Sequence, residues 1–307
     1  ANNTAVLGIA EAYKKRGNKV ITSNIEHPSV ADSFKELEAR GFEVVTLNAD
    51  EKGYINLEEL EREVDENTIL VSIMYVNNEV GTVQPIEKMA EIIKSKNKNC
   101  IFHTDCVQAF GKHPINGKHF DAISVSGHKI HCPKGVGVLY LRKGVRAKNL
   151  HFGGGQEKGF RPGTENTGSI VAMGLGAEIA KRDLEKNFEK VKAVKEKLMT
   201  ICDILPDVYV NGDSENGSPY ILNLSFEGVK GEVLLHALEN YEIYVATGSA
   251  CSSRAKEKKK IVDYLIDGRG SSTVRFSFDC ENTVEEAEKA IEVLKEQVPM
   301  LRMFQPR

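Results

Sequence analysis

Short apolar runs and amphipathic stretches take turns along the first half of the chain. Strand-like runs fall at Lys19 to Thr22, Glu43 to Leu47, Ile69 to Val76, Ile101 to His103, Asp121 to Val125 and Val136 to Leu141. Helical periodicity fills most of the gaps, at Ser29 to Ala39, Leu57 to Val64 and Pro85 to Ser95, and it also opens the chain at Asn3 to Lys15. Alternating strand and helix predict an α/β fold whose central sheet is mostly parallel, with helices on both faces. Sheets of this kind gather ligands at the carboxyl ends of their strands.

Beyond Tyr140 the texture changes. Gly153 to Gly168 is rich in Gly, Arg and Thr and predicts a loop, followed by one long charged helix to about Ile204. Strand-like Tyr220 to Phe226, a helical Val233 to Asn240 and strand-like Thr273 to Phe278 predict a smaller α+β domain. The last helix is well signed: Thr283 and Glu286 form a capping box, and Val284, Ala287, Ile291, Leu294 and Val298 line one face. The expected division is a large domain at 1–185 and a small C-terminal domain at 186–307. No internal repeat or low-complexity segment is present.

Composition narrows the function. The chain has 307 residues and a formal net charge of -3, which gives no bulk electrostatic reason to bind nucleic acid or an acidic membrane. Its longest apolar runs are far too short to span a bilayer, and no basic-then-apolar leader is seen, so the expected setting is cytoplasmic. Six cysteines (Cys100, Cys106, Cys132, Cys202, Cys251, Cys280) are scattered without a C-x-x-C pair, which argues against both a zinc site and a disulfide scaffold. The direct opening into a helix, with no linker or strand before it, reads as a chain without its natural start.

Polar residues cluster just after the predicted strands. His27 follows the first; Asn77, Asn78 and Glu79 follow the third; Asp105 and Gln108 the fourth; Ser126, His128 and Lys129 the fifth. One such residue is an ordinary cap or turn, whereas four sites on one rim are hard to explain that way. An acid, an amide, a hydroxyl, an imidazole and an amine together suit an anionic, ring-bearing cofactor. A partly buried lysine sheds its charge more readily and becomes nucleophilic toward an aldehyde.

The motifs "SNIEHPSV", "YVNNEVGTVQP", "HTDCVQAFGK", "SGHKIHCPKGVG", "GGGQEKGFRPGTENT", "ATGSACSS" and "STVRFSF" occur in this order. With them the chain resembles the cysteine desulfurases (NifS/IscS-like), pyridoxal 5'-phosphate (PLP) enzymes of fold type I, and more loosely the wider class V aminotransferase group. The resemblance runs from Ala1 to about Phe304. It implies the PLP-dependent transferase fold type I, and Lys129 as the Schiff-base lysine. Asp105 would pair with the pyridine nitrogen and Gln108 with the ring hydroxyl. His27 would stack on the ring and move protons, and Ser126 and His128 would bind the phosphate. Thr164 would reach the phosphate of the partner subunit's cofactor, implying a homodimer; for Arg161 the plain reading is that it simply shapes the dimer loop. Asn78 and Arg275 would hold the substrate carboxylate, the planar guanidinium giving a two-point grip.

Cys251 would be the nucleophile. Its segment is Gly- and Ser-rich and is followed by Arg254, Lys256, Lys258, Lys259 and Lys260, whose positive charge favours a thiolate. The family's reaction converts L-cysteine to L-alanine and leaves a persulfide on Cys251. That sulfur then passes to an acceptor protein, a scaffold for iron–sulfur clusters or a tRNA-thiolation enzyme. The long spacing from Cys251 to Arg275 favours this acceptor-serving subgroup. No metal, no direct nucleic acid and no membrane enter the expectation. Two departures stand out. The family has an N-terminal segment ending in a Gly-Ala-Thr-Glu run just before the position of Ala1, whose threonine binds phosphate. Cys132 stands where glycine usually precedes Pro133. The other readings are a selenocysteine lyase and a truncated, non-catalytic interaction paralogue. Retention of Lys129, His27, Asp105, Arg275 and Cys251 together argues against the latter.

Overall fold

A computed structural model of the chain describes residues 1–247, 261–265 and 269–304. It divides into two compact units. The first comprises Ala1–Ala49, Ile55–Val76 and Gln84–Leu184; the second comprises Asp50–Tyr54, Asn77–Val83 and the chain from Glu185 onward.

The first unit is built on six strands, β1 (Lys19–Ser23), β2 (Glu43–Leu47), β3 (Thr68–Ser72), β4 (Ile101–Asp105), β5 (Ala122–Ser126) and β6 (Gly137–Leu141). They lie in the order β2-β1-β3-β4-β5-β6. All neighbours are parallel except β6, which runs antiparallel to β5 as a partly exposed edge. The connecting helices are α1 (Asn2–Tyr13), α2 (Pro28–Ala39), α3 (Leu57–Glu63), α4 (Ile86–Lys96) and α5 (Thr167–Arg182). Every residue of β1, β3 and β4 is buried, as strands covered on both faces must be. On one face α1 and α2 press Ala5, Val6, Ile9, Phe34 and Leu37 against Val20, Leu70 and Ala122. The alternate pleat buries Ile21, Val71 and Phe102 completely. Because the strands are parallel, the ends at Ser23, Ser72, Asp105 and Ser126 share one rim.

The second unit holds a three-stranded antiparallel sheet of β7 (Val208–Asn211), β8 (Ile221–Phe226) and β9 (Thr273–Ser277), in that order. Its helices are α6 (Leu184–Met199), α7 (Ile201–Ile204), α8 (Gly231–Glu239), α9 (Ile261–Leu265) and α10 (Val284–Met303). Val194, Leu198, Leu224, Phe226, Leu234, Val274 and Leu294 form its core. The capping box is present: Glu286 N donates to Thr283 Oγ1 at 3.3 Å, and Thr283 N donates to Glu286 Oε2 at 3.1 Å.

Two expectations need correction. The single charged helix is three, α5, α6 and α7. The first break is at Asp183, whose φ of -100° and ψ of 10° leave the helical region, and the second is at Thr200, whose hydroxyl donates to the Lys197 carbonyl. The third strand closes at Ser72, short of the apolar run's end at Val76, although Ile73, Met74 and Val76 remain buried. Among the described residues no helix is long and apolar enough to cross a membrane.

Candidate active site

The candidate site of the first unit sits on the carboxyl rim. Asp105 closes β4 and is only 4% exposed. Val107 N donates to its Oδ1 at 2.8 Å, and Asn2 Nδ2 donates to its Oδ2 at 2.6 Å. Burial pushes its carboxyl above the usual range, opposed by those two donors and by His27. A buried acid whose partners are mainly neutral is short of positive charge, and a cationic ring N–H would supply it.

His27 stands between β1 and α2 in extended backbone (φ -62°, ψ 146°) and caps α2 with its side chain. Its Nδ1 accepts from Ser29 N at 3.1 Å and lies 2.8 Å from Ser29 Oγ. Burial lowers its pKa; Lys129 lowers it further, while Asp105 and Asp32 oppose. Burial therefore favours the neutral imidazole, which lies within electrostatic reach of both the acid and the amine.

Lys129 lies in a single 3-10 turn, Gly127–Ile130, directly after β5. The turn closes through His131 in the left-handed region (φ 61°) and a 3.1 Å bond from Cys132 N to Gly127 O. Gly127 is required there, since a Cβ would meet Val136 Cγ1 at 2.7 Å. The lysine is half-buried. Ser126 Oγ lies 2.8 Å from His128 Nδ1, which aligns two polar groups at the same turn. His128 is exposed, and its pKa is lowered by partial burial and by the charges of Lys129 and Lys134. Gln108 is half-buried in the turn after β4. Thr164 is exposed in the loop ahead of α5 and takes no part in the hydrogen bonds that join the others.

Asn78 and Arg275 belong to the second unit, where they meet: Arg275 Nη1 donates to the Asn78 carbonyl at 2.9 Å. Arg275 lies on β9, opposite Asn223 of β8, and its backbone bonds to Ala246 in both directions. Asn78 Oδ1 is buried without a hydrogen-bond partner. Cys251 and the basic run from Arg254 to Lys260 lie outside the described residues. Cys132 is accommodated locally. Its Sγ lies 3.6 Å from the carbonyls of Ile130 and Ala172, and only a glycine at Gly176 of α5 leaves room for it. The five described cysteines are free, and burial pushes the Cys100 thiol up to about 12.

Several residues escape a motif reading. Asn2 touches Asp105 across 103 positions of sequence, and no local pattern signals that contact. Glu26, beside His27, is buried, with Ser23 Oγ at 2.7 Å and Met74 N at 2.8 Å on its Oε1. An acid placed directly after an apolar strand was the available signal. His103 lies in the core of the sheet between Ser72 Oγ (2.8 Å) and Ser124 Oγ (3.0 Å), and burial holds its pKa at about 3.

The residues present fit PLP: a buried acid for a ring nitrogen, an amine for an aldehyde, an imidazole and a hydroxyl, with buried Asn2 Oδ1 left open beside Asp105. The sequence matches the model for "Aminotransferase class-V" over residues 1–290, and the chain belongs to that family. Enzymes of this family depend on PLP. More particularly, the chain is 41% identical to "Cysteine desulfurase IscS" of Pectobacterium carotovorum, over 100% of this chain and 76% of that protein. It is 42% identical to a "NifS/IcsS protein homolog" of Lactobacillus delbrueckii, over 96% of this chain and 78% of the relative. A solved "NIFS-LIKE PROTEIN" superposes with a TM-score of 0.91 at 37% identity, over 98% of this chain and 80% of its own.

Proposed function

We propose that this chain is a PLP-dependent cysteine desulfurase, taking sulfur from L-cysteine and leaving L-alanine. The observation that supports the chemistry is that His27, Asp105 and Lys129 stand at the carboxyl ends of β1, β4 and β5, on one rim of the parallel strands. The likeness to named cysteine desulfurases supports the substrate. When bound, PLP supplies an electron-withdrawing ring that acidifies the Cα–H of an amino acid joined to it.

The chain's own residues would do the rest. Lys129 Nζ would hold the aldehyde carbon and, once displaced by substrate, take the Cα proton. Asp105 would keep the ring nitrogen protonated, and Gln108 would meet the ring hydroxyl. Ser126 and His128 would bind phosphate oxygens, with Thr164 reaching across to a second subunit of a homodimer. His27 would lie against the ring and move protons, and Asn78 and Arg275 would bind the substrate carboxylate. The Cys251 thiolate would attack the substrate sulfur. The C–S bond then breaks, its electron pair stays with the substrate carbon and is protonated, and the sulfur remains on Cys251 as a persulfide. A cytoplasmic acceptor for iron–sulfur assembly or tRNA thiolation would take it from there.

Purified protein supplied with PLP and L-cysteine is expected to form alanine and sulfide in the presence of a thiol reductant. Lys129→Ala should abolish both products together with the visible absorbance of the bound cofactor. Cys251→Ser should still bind L-cysteine but carry no persulfide. Alanine formation undiminished in Lys129→Ala refutes the proposal.

A further inference from the structure

Asn2, Ser29, His27 and Asp105 form a continuous hydrogen-bonded chain. Asn2 Nδ2 reaches Asp105 Oδ2 at 2.6 Å and Ser29 Oγ at 2.9 Å, so each of its two hydrogens has an acceptor. Ser29 Oγ, accepting from Asn2, is left with its own hydrogen to give, and His27 Nδ1 lies 2.8 Å away. The Ser29 backbone N–H points at that same nitrogen from 3.1 Å. Two donors therefore converge on Nδ1, and only an unprotonated Nδ1 can receive them. Turning the Asn2 amide over would set its oxygen against the Asp105 carboxylate at 2.6 Å, so the acid fixes the direction of the chain.

The geometry points to Asn2 and Ser29 as positioning residues that bridge Asp105 to His27 and hold the imidazole as the Nε2–H tautomer. His27 then presents a proton on Nε2 and must act first as a donor from that atom. It cannot begin by accepting one there. Protonating Nδ1 would break the bond from the Ser29 backbone N–H, leaving a helix N-terminal amide without its cap, and would reverse the hydroxyl bond, leaving the Ser29 hydrogen without its acceptor. The same bridge ties the acid at the end of β4 to the imidazole at the head of α2, so the two keep a common register. The catalytic meaning of this tautomer rests on the proposed role of His27. The tautomer itself does not, and it is readable in protein without cofactor.

The test is long-range 15N–1H NMR of histidine-labelled full chain, without and with PLP, with the His27 signals assigned by their loss in His27→Gln. The unmodified protein is expected to show the Nε2–H pattern at His27 in both forms. Ser29→Ala should move the tautomer ratio toward Nδ1–H by at most about five-fold, the ceiling set by one ordinary hydrogen bond, while Ser29→Thr, which keeps the hydroxyl, restores it. Asn2→Ala should move the ratio the same way by a smaller factor. A proton on Nδ1 in the unmodified chain, or a ratio unchanged by Ser29→Ala, overturns the assignment. An unchanged ratio in Asn2→Ala overturns the bridge. Lack of turnover with L-cysteine alongside an intact Nε2–H signal would count against the function and leave the tautomer standing.

Discussion

Replacing Glu26 by glutamine is expected to stabilise the protein above neutral pH. Glu26 is fully enclosed; Ser23 and Met74 N–H both serve one oxygen, and the other has no hydrogen-bond partner. Burial lifts its pKa from 4.5 to about 8, against the opposing pull of those two bonds. A carboxyl raised in this way keeps its proton longer when folded than when unfolded. Between pH 4.5 and about 8 the native state holds more protons, so stability falls as pH rises through that window; below 4.5 both states are protonated and the penalty vanishes. At about 1.36 kcal/mol per pH unit the interval is worth roughly 5 kcal/mol at the alkaline end. Glutamine keeps the acceptor for Ser23 and Met74 and has no charge to bury. With no tryptophan in the chain, urea unfolding is best followed by far-ultraviolet circular dichroism at several pH values from 5 to 9. The advantage of Glu26→Gln should be small at pH 5 and grow steadily toward pH 8. Parallel stability curves for the two proteins would refute the reasoning.

Three further outcomes are expected. Lys195 is buried, with Nζ 3.0 Å from the Ser218 carbonyl, and burial lowers its pKa from 10.5 to about 8. The folded form sheds that proton first, so stability should gain about 3 kcal/mol between pH 8 and 10.5, a rise that Lys195→Met should flatten in urea titrations. Thr283→Ala removes the N-cap of α10 and should cost about 1 kcal/mol by urea midpoint. Arg275→Lys replaces a planar fork with a point charge and should raise KM for L-cysteine about ten-fold or more, with a smaller change in kcat, as steady-state alanine formation would show.

Much of the first unit was legible because its strands are short, apolar and bounded by polar turns. Once they are parallel, their carboxyl ends must share a rim, which is why His27, Asp105 and Lys129 could be grouped without coordinates. The capping box at Thr283 was readable because both partners lie within three residues. What escaped was long-range or conformational. Asn2 reaches Asp105 only through the docking of α1 on the sheet. Asp183, through its backbone angles, and Thr200, whose hydroxyl donates to the Lys197 carbonyl, interrupt a run of good helix formers in ways that periodicity does not encode. The stretch Asn77–Val83 sits in sequence between β3 and α4, yet it groups with the chain from Glu185 onward, an interlacing that a linear reading does not show.

That interlacing also sets a schedule for the nascent chain. The polypeptide passes between its two units five times, at 49/50, 54/55, 76/77, 83/84 and 184/185. When synthesis reaches residue 184, Asp50–Tyr54 and Asn77–Val83 have therefore already been made, while the rest of their unit, from Glu185 onward, is still untranslated. Cutting the chain at 184 would strand Asn78 from Arg275, so the piece from Glu185 onward would lack two segments of its own unit.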